Sequence, residues 1–243
     1  MNSSKNNNDI IKKIESEMVK YTDLLTINTV ENNENFIPIN PTVIPNGYMA
    51  NFSDMENVTG KNPLVRESIY TKLQTAQRIL TEKNPNLTLY ATYGYRSLDV
   101  QTKIFLDVLS KTNKEFFPNP IELYEEIHRY IAVPTVAGHP TGGAVDITIK
   151  NISTGKQLNF GSELYDFSNK LCYVFYKPLE DKAIENRSLL REVMIGAGFA
   201  PFDGEWWHFS YGDKEWAYYY NQKNAIFEQK TIRYFENFKD THI

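Results

Sequence analysis

Apolar side chains recur three or four positions apart in several segments of the chain, the spacing that places them on one face of an α-helix. Proline or glycine follows closely behind some of these segments, and both residues end helices. The pattern predicts helices over 10–25, 63–83, 98–110, 121–131 and 185–197.

Shorter segments are rich in β-branched and aromatic residues, which predicts strands. These segments cover 87–97, 144–149 and 205–211. In the segment 144–149, Val145 and Ile147 fall on one face of the strand. Asp146 falls on the other face and therefore points away from the apolar side.

The stretch from 28 to 61 is rich in asparagine and contains several prolines, so we expect extended or looped backbone there. Helices and short strands do not follow one another in regular βαβ order, which favours an α+β fold. We expect an N-terminal extension over 1–35 that is partly disordered or helical, a main globular domain over 36–221, and a C-terminal tail over 222–243.

Composition narrows the classes of function. The formal net charge of −4 leaves no overall basic field for nucleic acid. No segment approaches the roughly 20 apolar residues of a membrane-spanning helix, and the first residues lack the apolar core of a signal peptide. Cys172 is the single cysteine, so no internal disulfide can form. We therefore expect a cytoplasmic protein with no nucleic-acid partner and no membrane span.

Two of the four histidines stand close to a carboxylate in the sequence. His139 begins the stretch HPTGGAVD, which ends at Asp146, and His208 ends the stretch EWWH, which begins at Glu205. The glycine pair at 142–143 lets the first stretch turn back, so that His139 and Asp146 can converge on one ion.

His139, Asp146 and His208 are a candidate zinc site, because a hydrolytic zinc ion commonly takes three His or carboxylate ligands and leaves a position for water. Glu205 would stand beside that water as a general base. For this, the strand must begin with a bend near Gly204 that brings Glu205 and His208 to one side. Each residue alone also fits an ordinary role, such as a hydrogen-bonded loop histidine, a turn-capping aspartate or a core histidine.

The two stretches resemble the H-x-x-G-x-A-x-D and E-x-W-H motifs of the zinc-dependent D-Ala-D-Ala dipeptidases and carboxypeptidases. The paired tryptophans and the stretch GYRS at 94–97 resemble the VanX-type dipeptidases in particular. The resemblance covers residues 36–220 approximately. It implies a small central, mainly antiparallel sheet flanked by helices, as in the related hedgehog domain. It also implies one Zn²⁺ per chain on the three candidate ligands, with Glu205 as the catalytic base.

Other residues take implied roles from the same resemblance. Arg96 matches the family arginine that stabilises the oxyanion of the intermediate, a role suited to a permanent planar cation; a surface salt bridge is its alternative. Ala137 stands where the family commonly has a serine, so a hydroxyl that helps to hold the substrate is missing. Asp166 resembles the acidic residue that receives the substrate ammonium, with the nearby Glu163 or a solvated turn carboxylate as alternatives.

The aromatic residues and the remaining histidines fit more than one role. Tyr95 would be a wall or a hydrogen-bond donor of the substrate pocket, and Trp206 and Trp207 would be walls, but large aromatic side chains in strands more often belong to the core. His128 is predicted on a helix surface and His242 in the tail.

The resemblance implies a zinc metallopeptidase that hydrolyses D-alanyl-D-alanine or a close D,D-dipeptide. A zinc D,D-carboxypeptidase or endopeptidase acting on peptidoglycan peptides is one alternative, and a noncatalytic zinc-binding interaction module is another. The presence of both Glu205 and Arg96 favours catalysis. The oligomeric state and the exact substrate stay open.

Overall fold

A computed structural model describes residues 2–49, 55–176 and 178–232. Its helices are α1 (Asn2–Glu17), α2 (Tyr21–Leu25), α3 (Glu56–Thr59), α4 (Glu67–Lys83), α5 (Leu98–Lys111), α6 (Pro120–His128), α7 (Asp181–Gly196) and α8 (Lys214–Tyr219). Its strands are β1 (Asn28–Thr29), β2 (Phe36–Pro38), β3 (Leu64–Arg66), β4 (Leu87–Tyr93), β5 (Ala144–Asn151), β6 (Ala200–Pro201), β7 (His208–Ser210) and β8 (Asn224–Ala225). Over these ranges no helix has both the length and the apolar character that crossing a bilayer requires.

The centre of the fold is a four-stranded sheet in the order β4-β5-β7-β6, and all its neighbouring strands are antiparallel. Val145, Ile147 and Ile149 of β5 are buried in the main apolar core, as their alternation predicts. Helices α4 and α7 pack on that core through residues such as Leu73 and Leu190. The predicted α+β fold with a small antiparallel sheet flanked by helices is confirmed.

A second apolar cluster joins α2, α5 and α6. Leu24 of α2, Phe105 of α5 and Ile127 of α6 are buried in it. Each such side chain contributes about 1.5–3 kcal/mol when it leaves water. This cluster therefore fixes α5 and α6 as a unit beside the sheet.

Several element boundaries differ from the predicted ones. α1 begins at Asn2, ahead of the predicted helix start at residue 10, and α2 is a separate helix within the predicted range. Residues 64–66 form β3 and not the first turn of a helix, because they pair with β2. The strand predicted over 205–211 begins at His208, since the preceding residues form a turn in which the His208 backbone N–H donates to the Glu205 carbonyl at 3.2 Å.

His128 is also placed differently from the prediction. It is 3% exposed and therefore lies inside the protein, not on a helix surface. It ends α6 between the rings of Tyr21 and Phe202, and its Nδ1 accepts a hydrogen bond from the Val133 backbone N–H at 3.2 Å. The packing of α6 on the second apolar cluster therefore buries His128, although its imidazole is polar. His242 lies outside the described residues.

Arg66 connects segments that are far apart in sequence. It is 1% exposed, and its guanidinium forms an ion pair with Glu31 at 2.9 Å. It also donates hydrogen bonds to the backbone carbonyls of Glu34, Thr141 and Glu228 at 2.6, 2.8 and 3.2 Å. This one side chain thus holds the N-terminal segment, the loop after His139 and the residues beyond β8 together.

We predict that Arg66→Ala lowers the free energy of unfolding by about 3–5 kcal/mol, because removing one partner of a buried pair leaves the Glu31 carboxylate without its cationic partner. Urea unfolding monitored by circular dichroism measures the change. The matched control is Arg78→Ala, because Arg78 pairs with Glu82 on the surface, where such pairs contribute about 0–1 kcal/mol. Equal effects of the two substitutions would contradict the prediction.

Candidate metal and substrate site

Three buried side chains converge on the polar face of the central sheet. His139, Asp146 and His208 each offer a donor atom, and these atoms all lie within 4.8 Å of one another. Asp146 and His208 stand directly opposite each other in the pairing of β5 with β7. Their side chains therefore share one face of the sheet, and Asp146 Oδ1 lies 3.1 Å from His208 Nδ1.

His139 reaches the same point from a tight turn, and its ring orientation is fixed by the backbone. Its Nδ1 lies 2.7 Å from the Gly94 carbonyl, which can only accept, so Nδ1 carries the proton. Its Nε2 is then left with a free lone pair, 3.5 Å from Asp146 Oδ1. Gly142 ends the turn at φ +73°, and a Cβ there would lie 2.2 Å from the Phe36 ring, so this position needs glycine.

His208 is held from its other side by Glu215. The His208 Nε2 lies 3.4 Å from a carboxylate oxygen of Glu215, which stands in the first turn of α8. Burial acts against a charged imidazole here, but the hydrogen bonds to Asp146 and Glu215 outweigh it and raise the pKa of His208 well above its usual value. Burial opposes ionisation of Asp146 too, yet the neighbouring histidines lower the pKa of its carboxyl.

These residues fit a zinc ion. Two imidazoles and one carboxylate are a common ligand set of hydrolytic zinc sites, and burial lowers the pKa of His139, which favours the neutral form that binds metal. Zinc ligands at about 2.0–2.2 Å from the ion lie roughly 3.4 Å from each other in a tetrahedron. The separations of 3.1 and 3.5 Å from Asp146 Oδ1 agree with that spacing. The hydrogen bonds that the two imidazoles donate to the Gly94 carbonyl and to Glu215 are the outer contacts that orient metal-binding histidines.

Glu205 faces the same space from the turn before β7. It lines one cavity together with His139, Asp146 and His208. Burial raises the pKa of Glu205 to about 8. A carboxyl group with a pKa near the working pH can both accept and return a proton.

Arg96 completes the polar end of this cavity. It follows β4, is 5% exposed, and its guanidinium carbon lies 4.6 Å from the centre of the Tyr93 ring. The Arg96 Nη1 donates to Gln101 Oε1 at 2.9 Å, and the Gln101 amide donates in turn to the Ala132 carbonyl at 2.8 Å. Gln101 thus fixes the direction of the guanidinium.

The cavity has a volume of about 400 Å³. It extends from the side chains of His139, Asp146 and His208 to α5 and to the segment that follows α6. The residues that line it are Arg96, Gln101, Ile104, Val108, His128, Tyr130, Ile131, Ala132, Ala137, Gly138, His139, Asp146, Tyr165, Phe167, Phe202, Glu205, His208 and Glu215.

The structure places the other predicted site residues in different surroundings. Ala137 lines the cavity, whereas Asp166 does not: its carboxylate accepts a hydrogen bond from the Ser168 backbone N–H at 2.9 Å in a loop. The preceding residue, Tyr165, contacts the candidate ligands, and its hydroxyl donates to Asp146 Oδ2 at 3.1 Å. Tyr95 is buried outside the cavity and donates to the Lys230 carbonyl at 2.8 Å.

The paired tryptophans belong to the main core. Both are buried there, and the Trp206 ring stacks on Phe160 with centroids 4.1 Å apart. Neither lines the cavity. Their structural role is to fix the turn that carries Glu205.

Sequence analysis alone did not identify Gln101, Tyr165 or Glu215. Gln101 lies five positions after Arg96 on the cavity side of a predicted helix, which is a weak signal. Glu215 follows Asp213, whose side chain caps α8 by accepting from the Trp216 backbone N–H at 2.9 Å. A capping aspartate predicts the start of a helix but says nothing about which histidine that helix supports.

Comparison with known proteins identifies the family. Residues 48–230 match the family model of Peptidase M15, described as D-Ala-D-Ala dipeptidase. The match spans most of the chain, and the protein therefore belongs to this family of peptidases. Its relatives are hydrolytic enzymes, and this chain is a hydrolytic peptidase of the same class.

Individual relatives support the same family. A D-alanyl-D-alanine dipeptidase of Synechocystis is 28% identical over 200 residues, which cover 72% of this chain and 80% of the relative. The D-alanyl-D-alanine dipeptidase of Enterococcus faecalis is 31% identical over 104 residues, covering 42% of this chain and half of that enzyme. That of Escherichia coli is 32% identical over 82 residues, covering 33% of this chain and 42% of the relative.

Solved structures show more distant likenesses. VanYB in complex with D-alanine-D-alanine is 15% identical with a TM-score of 0.42, over 84% of this chain and 95% of that one. The D,D-dipeptidase VanXYg in complex with a D-Ala-D-Ala phosphinate analogue is 18% identical with a TM-score of 0.37, over 80% and 66%. The family assignment rests on the sequence match.

We predict that Glu215→Gln weakens zinc binding by about 10–100-fold, because residues that orient a metal-binding histidine have effects of that size. Competition with a chromophoric zinc chelator measures the affinity. Glu192→Gln is the matched control, since Glu192 is a surface residue whose side chain is 64% exposed. An unchanged zinc affinity in Glu215→Gln would mean that Glu215 does not support His208.

A second prediction concerns Asp213. Burial, aided by the charge of Glu215, raises the pKa of Asp213 to about 7 from 3.8. The folded protein therefore holds this proton to a higher pH than the unfolded chain, and stability is lost as the pH rises from about 4 to 7. Asp213→Asn removes this loss, so in metal-free protein the variant should gain stability relative to wild type between pH 5 and pH 8. Urea midpoints at the two pH values measure it, and a difference that does not change with pH would contradict it.

Proposed function

We propose that this protein hydrolyses D-alanyl-D-alanine or a close D,D-dipeptide with the help of a zinc ion held by His139, Asp146 and His208. The observation that carries the proposal is the meeting of this buried ligand set with Glu205 and Arg96 in one cavity. Membership of the D-Ala-D-Ala dipeptidase family supports the substrate class. Location in the cytoplasm stays a prediction from the sequence.

Zinc bound to these ligands would supply a Lewis acid that polarises the peptide carbonyl and acidifies water. Glu205 is the group proposed to take the proton of the attacking water and to return it to the departing amine. Its place in the cavity supports both steps, and its pKa, raised by burial to about 8, favours the protonated form that returns the proton. A peptide bond breaks when the amine leaves with that proton.

Arg96 is proposed to stabilise the negative charge that develops on the carbonyl oxygen. A guanidinium whose direction is fixed in advance loses little energy to reorganisation when that charge appears. The hydrogen bond to Gln101 and the contact with the Tyr93 ring support this role. Ala137, which also lines the cavity, supplies a methyl group where a serine would supply a hydroxyl.

The experiment that tests the proposed function is alanine release by purified, zinc-loaded protein from D-Ala-D-Ala, L-Ala-L-Ala and a muramyl pentapeptide. We expect release from the D,D-dipeptide only. Release from the pentapeptide but not from free dipeptide would move the enzyme to the carboxypeptidases. Stoichiometric zinc binding without release from any substrate would contradict a catalytic function and favour a binding module.

We predict that Glu205→Ala retains one zinc per chain and loses at least about 10²–10⁴-fold in kcat, because a general base commonly contributes that factor. Zinc content by mass spectrometry and dipeptide turnover are the two measurements. Glu192→Ala is the control, since Glu192 is an exposed carboxylate outside the cavity. Loss of zinc in Glu205→Ala would contradict the role as base and make Glu205 a ligand.

A further inference from the structure

The cavity extends past the polar groups that line its metal end. Gln101, Ile104 and Val108 line it from α5, and their spacing places them on one face of that helix. Seven residues at 1.5 Å per residue correspond to about 10 Å along the helix axis. Because Gln101 binds Arg96, the wall that α5 forms runs about 10 Å along the helix from the residue that holds the guanidinium.

The walls of this continuation are apolar. They are formed by Ile104, Val108, Ile131 and Phe167, which we call the apolar arm. They come from α5, the segment after α6 and the loop before residue 170. All four are only partly buried, and Val108, Ile131 and Phe167 also pack against the apolar clusters described above.

Tyr130 and His128 also line the cavity, and neither side chain is itself charged. The Tyr130 hydroxyl is engaged by the Lys170 ammonium group. His128 uses its Nδ1 to accept from Val133, and burial lowers the pKa of its imidazole, which keeps it neutral. An unfilled apolar space of this kind favours a ligand that carries apolar surface into it.

D-alanyl-D-alanine offers only two methyl groups for such contacts. A volume of about 400 Å³ lies in the range of roughly 300–1,000 Å³ that is typical of sites for drug-sized ligands. The methyl group of Ala137 adds further apolar surface to the cavity. The cavity therefore has room for a side chain that is longer than that of alanine.

We propose that the apolar arm binds a large apolar side chain of the substrate, so that the preferred substrates are D,D-dipeptides in which one residue is bulky and apolar. This inference rests on the proposed function, because it assumes that the peptide bond lies at the metal end of the same cavity. It goes beyond that function by assigning the chemical class of one substrate side chain.

The first test compares kcat/KM of the zinc-loaded enzyme for D-Ala-D-Ala, D-Ala-D-Leu and D-Leu-D-Ala. We expect at least one leucine-containing dipeptide to exceed D-Ala-D-Ala by about tenfold or more, since each buried methylene contributes about fourfold. Turnover of D-Ala-D-Ala at an equal or higher rate than both would overturn the inference and leave the proposed function intact. No turnover of any of the three would overturn the proposed function itself.

The second test fills the arm. Val108→Phe and Ile131→Phe narrow it from two different segments of the chain, and each should lower the ratio of kcat/KM for the preferred leucine dipeptide over D-Ala-D-Ala by about tenfold or more. The matched control is Leu106→Phe, because Leu106 is 53% exposed on the outer side of the same helix and should leave the ratio unchanged. Because two positions are substituted independently, one variant still tests the inference if the other does not fold. An unchanged ratio in both folded variants would overturn the inference.

Discussion

The antiparallel register of β5 and β7 is the constraint on which the site depends. It places Asp146 opposite His208, and a shift of either strand by one residue would turn that strand's candidate ligand to the apolar face of the sheet. The shift is prevented because Val145 and Ile147 on the other face are fully buried under the helices. The packing of the core therefore decides where the candidate ligands meet.

The third candidate ligand is held by contacts from distant parts of the chain. His139 is oriented by the Gly94 carbonyl at the end of β4, and the carbonyl of Thr141, in the same turn, accepts a hydrogen bond from Arg66. Arg66 in turn binds Glu31 and the carbonyl of Glu228, near opposite ends of the described chain. Buried charges are costly unless they are paired, and the pairing here ties the terminal segments to the metal-site loop.

The pattern of apolar and polar residues predicts those features of the fold that depend on neighbouring residues in the sequence. The alternation in 144–149 predicts the strand and the outward direction of Asp146, and the glycines at 142–143 predict the turn after His139. The support of His208 by Glu215 and of Arg96 by Gln101 depends on tertiary packing, which no local period reveals. His128 was misplaced for the same reason, because its burial arises from contacts with Tyr21 and Phe202, far away in sequence.

The central claim is that one zinc ion at this site makes the chain a D,D-dipeptidase. Titration of zinc into metal-free protein, with D-Ala-D-Ala hydrolysis followed at each addition, tests it most directly. We predict that activity rises linearly and reaches its plateau at one equivalent of zinc per chain. Full zinc binding without hydrolysis would contradict this prediction, and so would a rate of hydrolysis that is already maximal before zinc is added.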